Sequence, residues 1–186
     1  MYKDQSIKKY LGDLAAMMPA PGGGSASALA AGLGAALISM VINFTLGKPK
    51  YAVYEKELKA ILEKSEKARE GFLDLVDRDV IAYNSRDMRQ ALDVPLMICR
   101  LCFEAISLCP ALIKKGNRNL ISDVAVAAVL LESGFVSAMF NLEINLKFIN
   151  DKGLAKKLKK ELEAKKSRVK RIRLQTEVRV GKIIRG

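Results

Sequence analysis

Apolar residues recur every three or four positions along most of the chain, the spacing of a helix face, and strand-like alternation between turn signals is hard to find. The pattern predicts an all-α fold, a single-domain antiparallel bundle of about five to six helices spanning 1–186. A short first helix starts at Ser6, a good N-cap, carries Tyr10, Leu11, Leu14 and Met17/Met18, and stops at Pro19 and Pro21. A second helix follows the Gly22-Gly23-Gly24-Ser25 loop and runs from Ser25 to about Leu46 without a charge. Its length would suffice for a membrane span. Ser25, Ser27, Ser39, Asn43 and Thr45, together with the dominance of Ala and Gly, favour a buried central helix instead. Within it Ala28, Gly32, Ala36, Ser39 and Asn43 make a stripe of small side chains that lets another helix approach closely.

Gly47-Lys48-Pro49-Lys50 breaks the chain, and a third helix from about Tyr51 reaches about Met88. Its apolar face reads Leu58, Ile61/Leu62, Ala68, Phe72, Leu75/Val76 and Ala82/Tyr83, and Asp79 falls on that face. Asp74 and Asp77 project to other sides, where solvent is expected. A fourth helix covers Val94 to about Lys115, with Pro95 in its first turn and Pro110 as a kink or break. After the Gly116-Asn117-Arg118-Asn119 turn, Ser122 and Asp123 open a fifth helix to about Ile149. Asn141 and Asn145 stand one turn apart on it and can address the same space. The last helix, after Asp151, carries Leu154, Leu158, Leu162, Val169, Ile172 and Thr176 among many Lys and Arg, and should dock by that stripe.

The net charge of +12 is unevenly spread: residues 1–151 hold 18 Lys/Arg against 17 Asp/Glu, and residues 152–186 hold 14 against 3. The body is neutral and the basic helix at 152–186 could meet nucleic acid, an acidic membrane surface or a polyanionic small molecule. The chain has no His, which removes Ser-His-Asp triads, Cys-His pairs and His-bearing zinc sites, so acid-base chemistry must come from carboxylates, Lys, Cys or Tyr. Three cysteines, Cys99, Cys102 and Cys109, with no signal peptide point to a reducing cytoplasm, and they read as packed core thiols because a zinc site lacks its further ligands.

Two features bear on chemistry. The Gly22-Gly23-Gly24-Ser25 loop ahead of a helix presents N–H groups to an anion, or is simply a turn that permits close packing. Asp79, facing a bundle interior, is either a carboxyl whose pKa burial raises toward useful proton transfer or half of a structural ion pair. Asn43, Asn141 and Asn145 offer uncharged hydrogen bonds to a heteroaromatic ligand or to neighbouring helices; Asp123 reads most simply as a helix-start partner, and Lys48 and Lys50 as carboxylate holders or solvated cations.

The run Pro19-Ala20-Pro21-Gly22-Gly23-Gly24-Ser25, continued by Asn43, Thr45 and Gly47-Lys48-Pro49-Lys50-Tyr51, resembles the cyclodeaminase/cyclohydrolase family of folate enzymes. Ordered matches follow at Asp79 with Ala82-Tyr83-Asn84, at Val94-Pro95-Leu96, at Gly116-Asn117-Arg118-Asn119 with Ser122-Asp123, and at Asn141 with Ile144-Asn145-Leu146. The resemblance implies a helical homodimer acting on one-carbon tetrahydrofolates without a bound cofactor or metal, cyclodeamination slightly ahead of cyclohydrolysis. It implies Asp79 as the catalytic carboxyl, and Gly22, Gly23, Gly24, Ser25, Asn43, Lys48, Lys50, Ser122, Asp123, Asn141 and Asn145 as substrate contacts. The expected partner is a folate that can carry a polyglutamate tail, with neither nucleic acid nor membrane. Two departures touch substrate contacts: the segment Ser85-Arg86-Asp87-Met88-Arg89-Gln90 is shorter than in many members, and Pro49 interrupts what is commonly a run of lysines. A non-catalytic helical scaffold and a basic-tail anion binder are the readings of other classes.

Overall fold

The computed structural model describes residues 1–149 and 151–186, and among them it is helical with no strand. Seven α-helices follow in order: α1 (Ile7–Ala15), α2 (Gly23–Asn43), α3 (Glu55–Ser85), α4 (Met88–Ile106), α5 (Cys109–Lys115), α6 (Ile121–Leu146) and α7 (Lys152–Arg185). Ser6 caps α1 as expected, its Oγ accepting from the Lys9 N–H at 3.1 Å, and Asp151 caps α7 through the Leu154 N–H at 2.8 Å. The second helix starts two residues earlier than expected, inside the glycine triplet, and ends at Asn43.

Helices α2 and α6 run antiparallel, which the cross-contacts establish: Gly23 lies against Asn141 and Ala31 against Gly134, while Val41 near the end of α2 lies against Gly116 in the turn that leads to α6. The α2–α6 pair approaches closely because two positions lack a Cβ. One on Gly134 would stand 2.8 Å from the Ala31 Cβ and 3.0 Å from the Ser27 carbonyl; one on Gly34 would stand 2.8 Å from the Leu131 Cγ. The contact stripe is therefore Ser27, Ala31 and Gly34, rotated from the expected one, whose Gly32 and Ala36 are half-buried and whose Asn43 is exposed. Gly32 instead faces the Cβ of Phe72 on α3 at 3.4 Å. Phe72 and Phe135 are fully buried in the core, each contributing about 2–3 kcal/mol by removal from water.

By length and hydropathy three segments, Gly23–Asn43, Met88–Lys115 and Arg118–Leu146, are apolar enough to cross a membrane. Here α2 sits between α6 and the charged α3, and the apolar positions facing inward meet protein. The basic α7 docks on α6, α4 and α5 through Leu158, Leu162, Val169 and Thr176 of the expected stripe, joined by Val180, which the stripe did not include, while Leu154 at its start is exposed. Arg100–Glu161 and Arg173–Glu132 pairs flank that seam.

Two expectations fail for instructive reasons. Pro95 is not in the first turn of α4: the helix begins at Met88, capped by Asp87, whose carboxylate accepts from the Arg89 and Gln90 N–H groups. Pro95 thus lies inside a helix and deprives the Ala91 carbonyl of its usual donor four residues on. The Asn145 side-chain amide, arriving from α6, donates to that carbonyl instead. Asp77 is not solvated but 4% exposed, because the chain's first residues fold over α3 and the Tyr2 and Lys3 N–H groups donate to its two oxygens at 2.6 and 3.4 Å. Asp74 is exposed as expected and pairs with Lys3.

Candidate active site

Where the start of α2 meets the ends of α3 and α6, a cavity of about 290 Å³ opens. Its walls include Pro19, Gly22–Gly24, Asp79, Tyr83, Asn141 and Asn145. Asp79 is half-buried, and its Oδ2 accepts from the Ser25 N–H at 2.9 Å. That N–H belongs to the first turn of α2, where no preceding helical carbonyl is available, so the carboxylate caps the positive end of the helix. Burial pushes the Asp79 carboxyl above its ordinary value, and the Ser25 hydrogen bond pulls it part of the way back. The side chain therefore sits in an environment that favours the proton more than water does, yet stays within reach of a cavity.

Gly24 explains why the glycines precede Ser25. A Cβ there would overlap the Asp79 carboxylate, lying 2.6 Å from its Cγ, although the Gly24 backbone is ordinary helix. The requirement is space for a carboxylate beside the helix start. A Cβ on Gly23 would come 3.3 Å from the Asn141 Oδ1, so that residue too leaves room for a site side chain. The Asn141 amide donates to the Ser137 carbonyl at 3.0 Å, an ordinary back-bond within α6, with its oxygen toward Gly23.

Ser25 itself turns away from the cavity. Its side chain is fully buried and hydrogen-bonds the Tyr10 hydroxyl at 3.1 Å, so its contribution is the backbone N–H. Tyr10 is raised in pKa mainly by burial and further by the nearby Asp79 charge, and it ties α1 to the α2 start. Asn145 spends its amide on Ala91, which joins α6 to α4 beneath the cavity. Tyr83 and Tyr10 were not among the expected site residues. Tyr83 follows Asp79 by one helical turn, a spacing that could have flagged it.

The other expected contacts lie elsewhere. Asn43 ends α2, roughly 30 Å from Gly23 at helical rise, and Ser122 and Asp123 begin α6, roughly 35 Å from Asn145. Because α2 and α6 are antiparallel, Asn43, Ser122 and Asp123 share the far end of the bundle, and exposed Lys48 and Lys50 follow Asn43 there. Within one chain the site is the Gly22–Gly24, Asp79, Asn141 and Asn145 group alone. The residues that the resemblance implies as substrate contacts therefore lie at both ends of α2 and α6, and one chain by itself does not bring them together.

A larger cavity of about 620 Å³ between α3 and α4 is lined by Lys64, Lys67, Phe103 and Glu104 at exposed or half-buried positions. It holds no buried titratable group, so the smaller cavity is the one equipped for proton transfer. The cysteines are inert by the same test: burial pushes the Cys99 and Cys109 thiols up to about 12 and Cys102 well above its ordinary value.

Comparison with known proteins identifies the family. A family model described as formiminotransferase-cyclodeaminase matches residues 6–86 and 85–164. A methenyltetrahydrofolate cyclohydrolase of Methylorubrum extorquens is 37% identical over 88% of this chain and 89% of its own length. The formimidoyltransferase-cyclodeaminase of Rattus norvegicus is 32% identical over 80% of this chain, which spans only 32% of that longer protein. The crystal structure of formiminotetrahydrofolate cyclodeaminase from Thermotoga maritima superposes with a TM-score of 0.93 at 28% identity, covering 99% of this chain and 100% of that one. The chain belongs to the formiminotransferase-cyclodeaminase family of folate one-carbon enzymes.

Proposed function

We propose that this chain moves protons on a one-carbon unit bridging N5 and N10 of tetrahydrofolate, with Asp79 as the group that carries them. The carrying observation is the half-buried Asp79 carboxyl in a cavity, held by one backbone N–H and raised in pKa. In cyclohydrolysis, water adds to the methenyl carbon and Asp79 takes a proton from it. Asp79 then delivers a proton to N5 as the carbon–N5 bond breaks, and the remaining hydroxyl proton leaves as the 10-formyl carbonyl forms. The anionic form of Asp79 also stabilises the cationic methenyl carbon.

Cyclodeamination is the second reading and uses the same carboxyl. N10 attacks the protonated N5-formimino carbon, Asp79 takes the N10 proton and passes it to the amine, and ammonia departs to leave the methenyl cation. The family resemblance puts this reaction slightly first, and the residues themselves do not separate the two. The stand-alone relative matched over nearly its whole length supports placing cyclohydrolysis ahead, while the Thermotoga structure supports keeping cyclodeamination.

Offering the purified protein methenyl- and formimino-tetrahydrofolate and following the methenyl absorbance separates the two. Faster loss of the first substrate's band supports cyclohydrolysis, and appearance of the band from the second supports cyclodeamination. If neither rate exceeds the uncatalysed one, both readings are refuted.

A further inference from the structure

Pro95 breaks a local rule with no local gain. Proline is the costliest residue in a helix interior, and this one is buried about two turns into α4, where it leaves the Ala91 carbonyl without a helical donor. Departures of this kind gather where function demands them. The carbonyl is not orphaned, because the Asn145 amide donates to it from α6, 54 positions away.

Asn141, one turn earlier on α6, shows what an asparagine does here without such a target. Its amide donates to the Ser137 carbonyl four residues back in the same helix. Asn145 reaches across to α4 instead. An amide carries its donors on nitrogen and its acceptor on oxygen, so aiming Nδ2 at Ala91 turns Oδ1 the other way. Ala91 and Asn145 both line the cavity that holds Asp79, and among the described residues that oxygen accepts no hydrogen bond from the protein. The cavity's polar side chains are Asp79, Tyr83, Asn141 and Asn145, with no Lys or Arg to hold a carboxylate. Such a wall suits the pterin end of a folate, whose 2-amino group and ring N–H groups donate, and not its glutamate end.

We propose that Pro95 is a positioning residue: by withholding an N–H from the Ala91 carbonyl it fixes the Asn145 amide with its oxygen toward the cavity, where that oxygen accepts an N–H of the reduced pterin ring. This rests on the folate reading above. The flipped amide would set its oxygen against the Ala91 oxygen and leave that carbonyl without a donor, so one orientation dominates. With an N–H at position 95, the carbonyl regains its helical partner and Asn145 is released to turn. The proline thus acts on the substrate without touching it.

Pro95→Ala and Pro95→Val test this in the full chain, the second keeping more of the buried side-chain volume. Both should melt at or above wild type, since each restores a helical hydrogen bond. Each should nevertheless raise KM for methenyltetrahydrofolate about threefold to tenfold with kcat within about twofold, the effect of one uncharged hydrogen bond to the substrate. Asn145→Ala should raise KM by the same factor, and adding Pro95→Ala to it should raise KM no further, because the proline acts only through that amide. The Asn145 side-chain amide, assigned in proton–nitrogen correlation spectra by its loss in Asn145→Ala, should exchange slowly in wild type and about tenfold faster in both proline variants. A proline variant with wild-type KM, a proline effect that adds to that of Asn145→Ala, or an amide protected equally in all forms overturns the proposal. So does a fall in Tm in both proline variants, which would mark Pro95 as a packing residue. If the wild type turns over neither folate, the reaction reading fails separately, and the amide exchange and the melts still decide whether Pro95 orients Asn145.

Discussion

Adding one methyl group at Gly24 tests the site geometry most directly. In a Gly24→Ala protein the new Cβ would fall 2.6 Å from the Asp79 Cγ, and carbon atoms settle at about 3.5 Å, so the carboxylate must retreat by about 1 Å or rotate away from Ser25. Overpacking of this kind costs about 1–3 kcal/mol, and Ala recovers up to ~1 kcal/mol of helix preference over Gly. The expected net loss is about 0–2 kcal/mol, seen as a fall in Tm of no more than about 8 °C for a chain of this size. Turnover should suffer far more, since a ~1 Å misplacement of a reacting group costs about a hundredfold. Thermal melts followed by circular dichroism and kcat/KM from the methenyl band measure the two effects on the same samples. Gly12→Ala is the control, because a Cβ there meets nothing within 4 Å. A Gly24→Ala protein within about threefold of wild-type kcat/KM would refute the claim that this glycine exists to admit Asp79.

Further substitutions examine the separate supports. Asp79→Asn should lower kcat/KM by about 10²–10⁴-fold. Its folded pKa is raised, so ionising it costs stability above that pKa and costs nothing once both states are protonated below the ordinary 3.8; the Asn variant should melt at or above wild type at pH 7, with the advantage shrinking as pH falls. Asn145→Ala leaves the Ala91 carbonyl unpaired and should cost about 1–3 kcal/mol in denaturant titration, and adding Pro95→Ala should recover most of it by restoring the missing N–H. Equal losses in the single and double variants would show that Asn145 acts otherwise. Asp77→Ala should release the first residues from α3, with about 1.5–3 kcal/mol lost and faster hydrogen exchange at Tyr2 and Lys3, whereas Asp74→Ala should be nearly silent.

Helical class, the order of the elements and the inward position of Asp79 follow from local periodicity, because a 3.6-residue repeat fixes which side chains share a face without reference to any other segment. The absence of His likewise confined the chemistry before any fold was known. Asp77 shows the limit of that argument. Its place on α3 reads as solvated until the chain's first residues, 75 positions away, fold across it and supply the N–H groups. Pro95 shows another, since a helix can enclose a proline once an amide from α6 takes over the orphaned Ala91 carbonyl.

The site divides the same way. Residue identity alone nominates Asp79, the glycines and the asparagines, whereas only the antiparallel packing of α2 against both α3 and α6 decides that Gly23, Asp79 and Asn141 meet and that Asn43, Lys48 and Ser122 stand a helix length away. Periodicity reports rotation about a helix axis and is silent on which end of one helix lies beside which end of another. That choice is made by tertiary packing, here by the close approach that Gly34 and Gly134 allow.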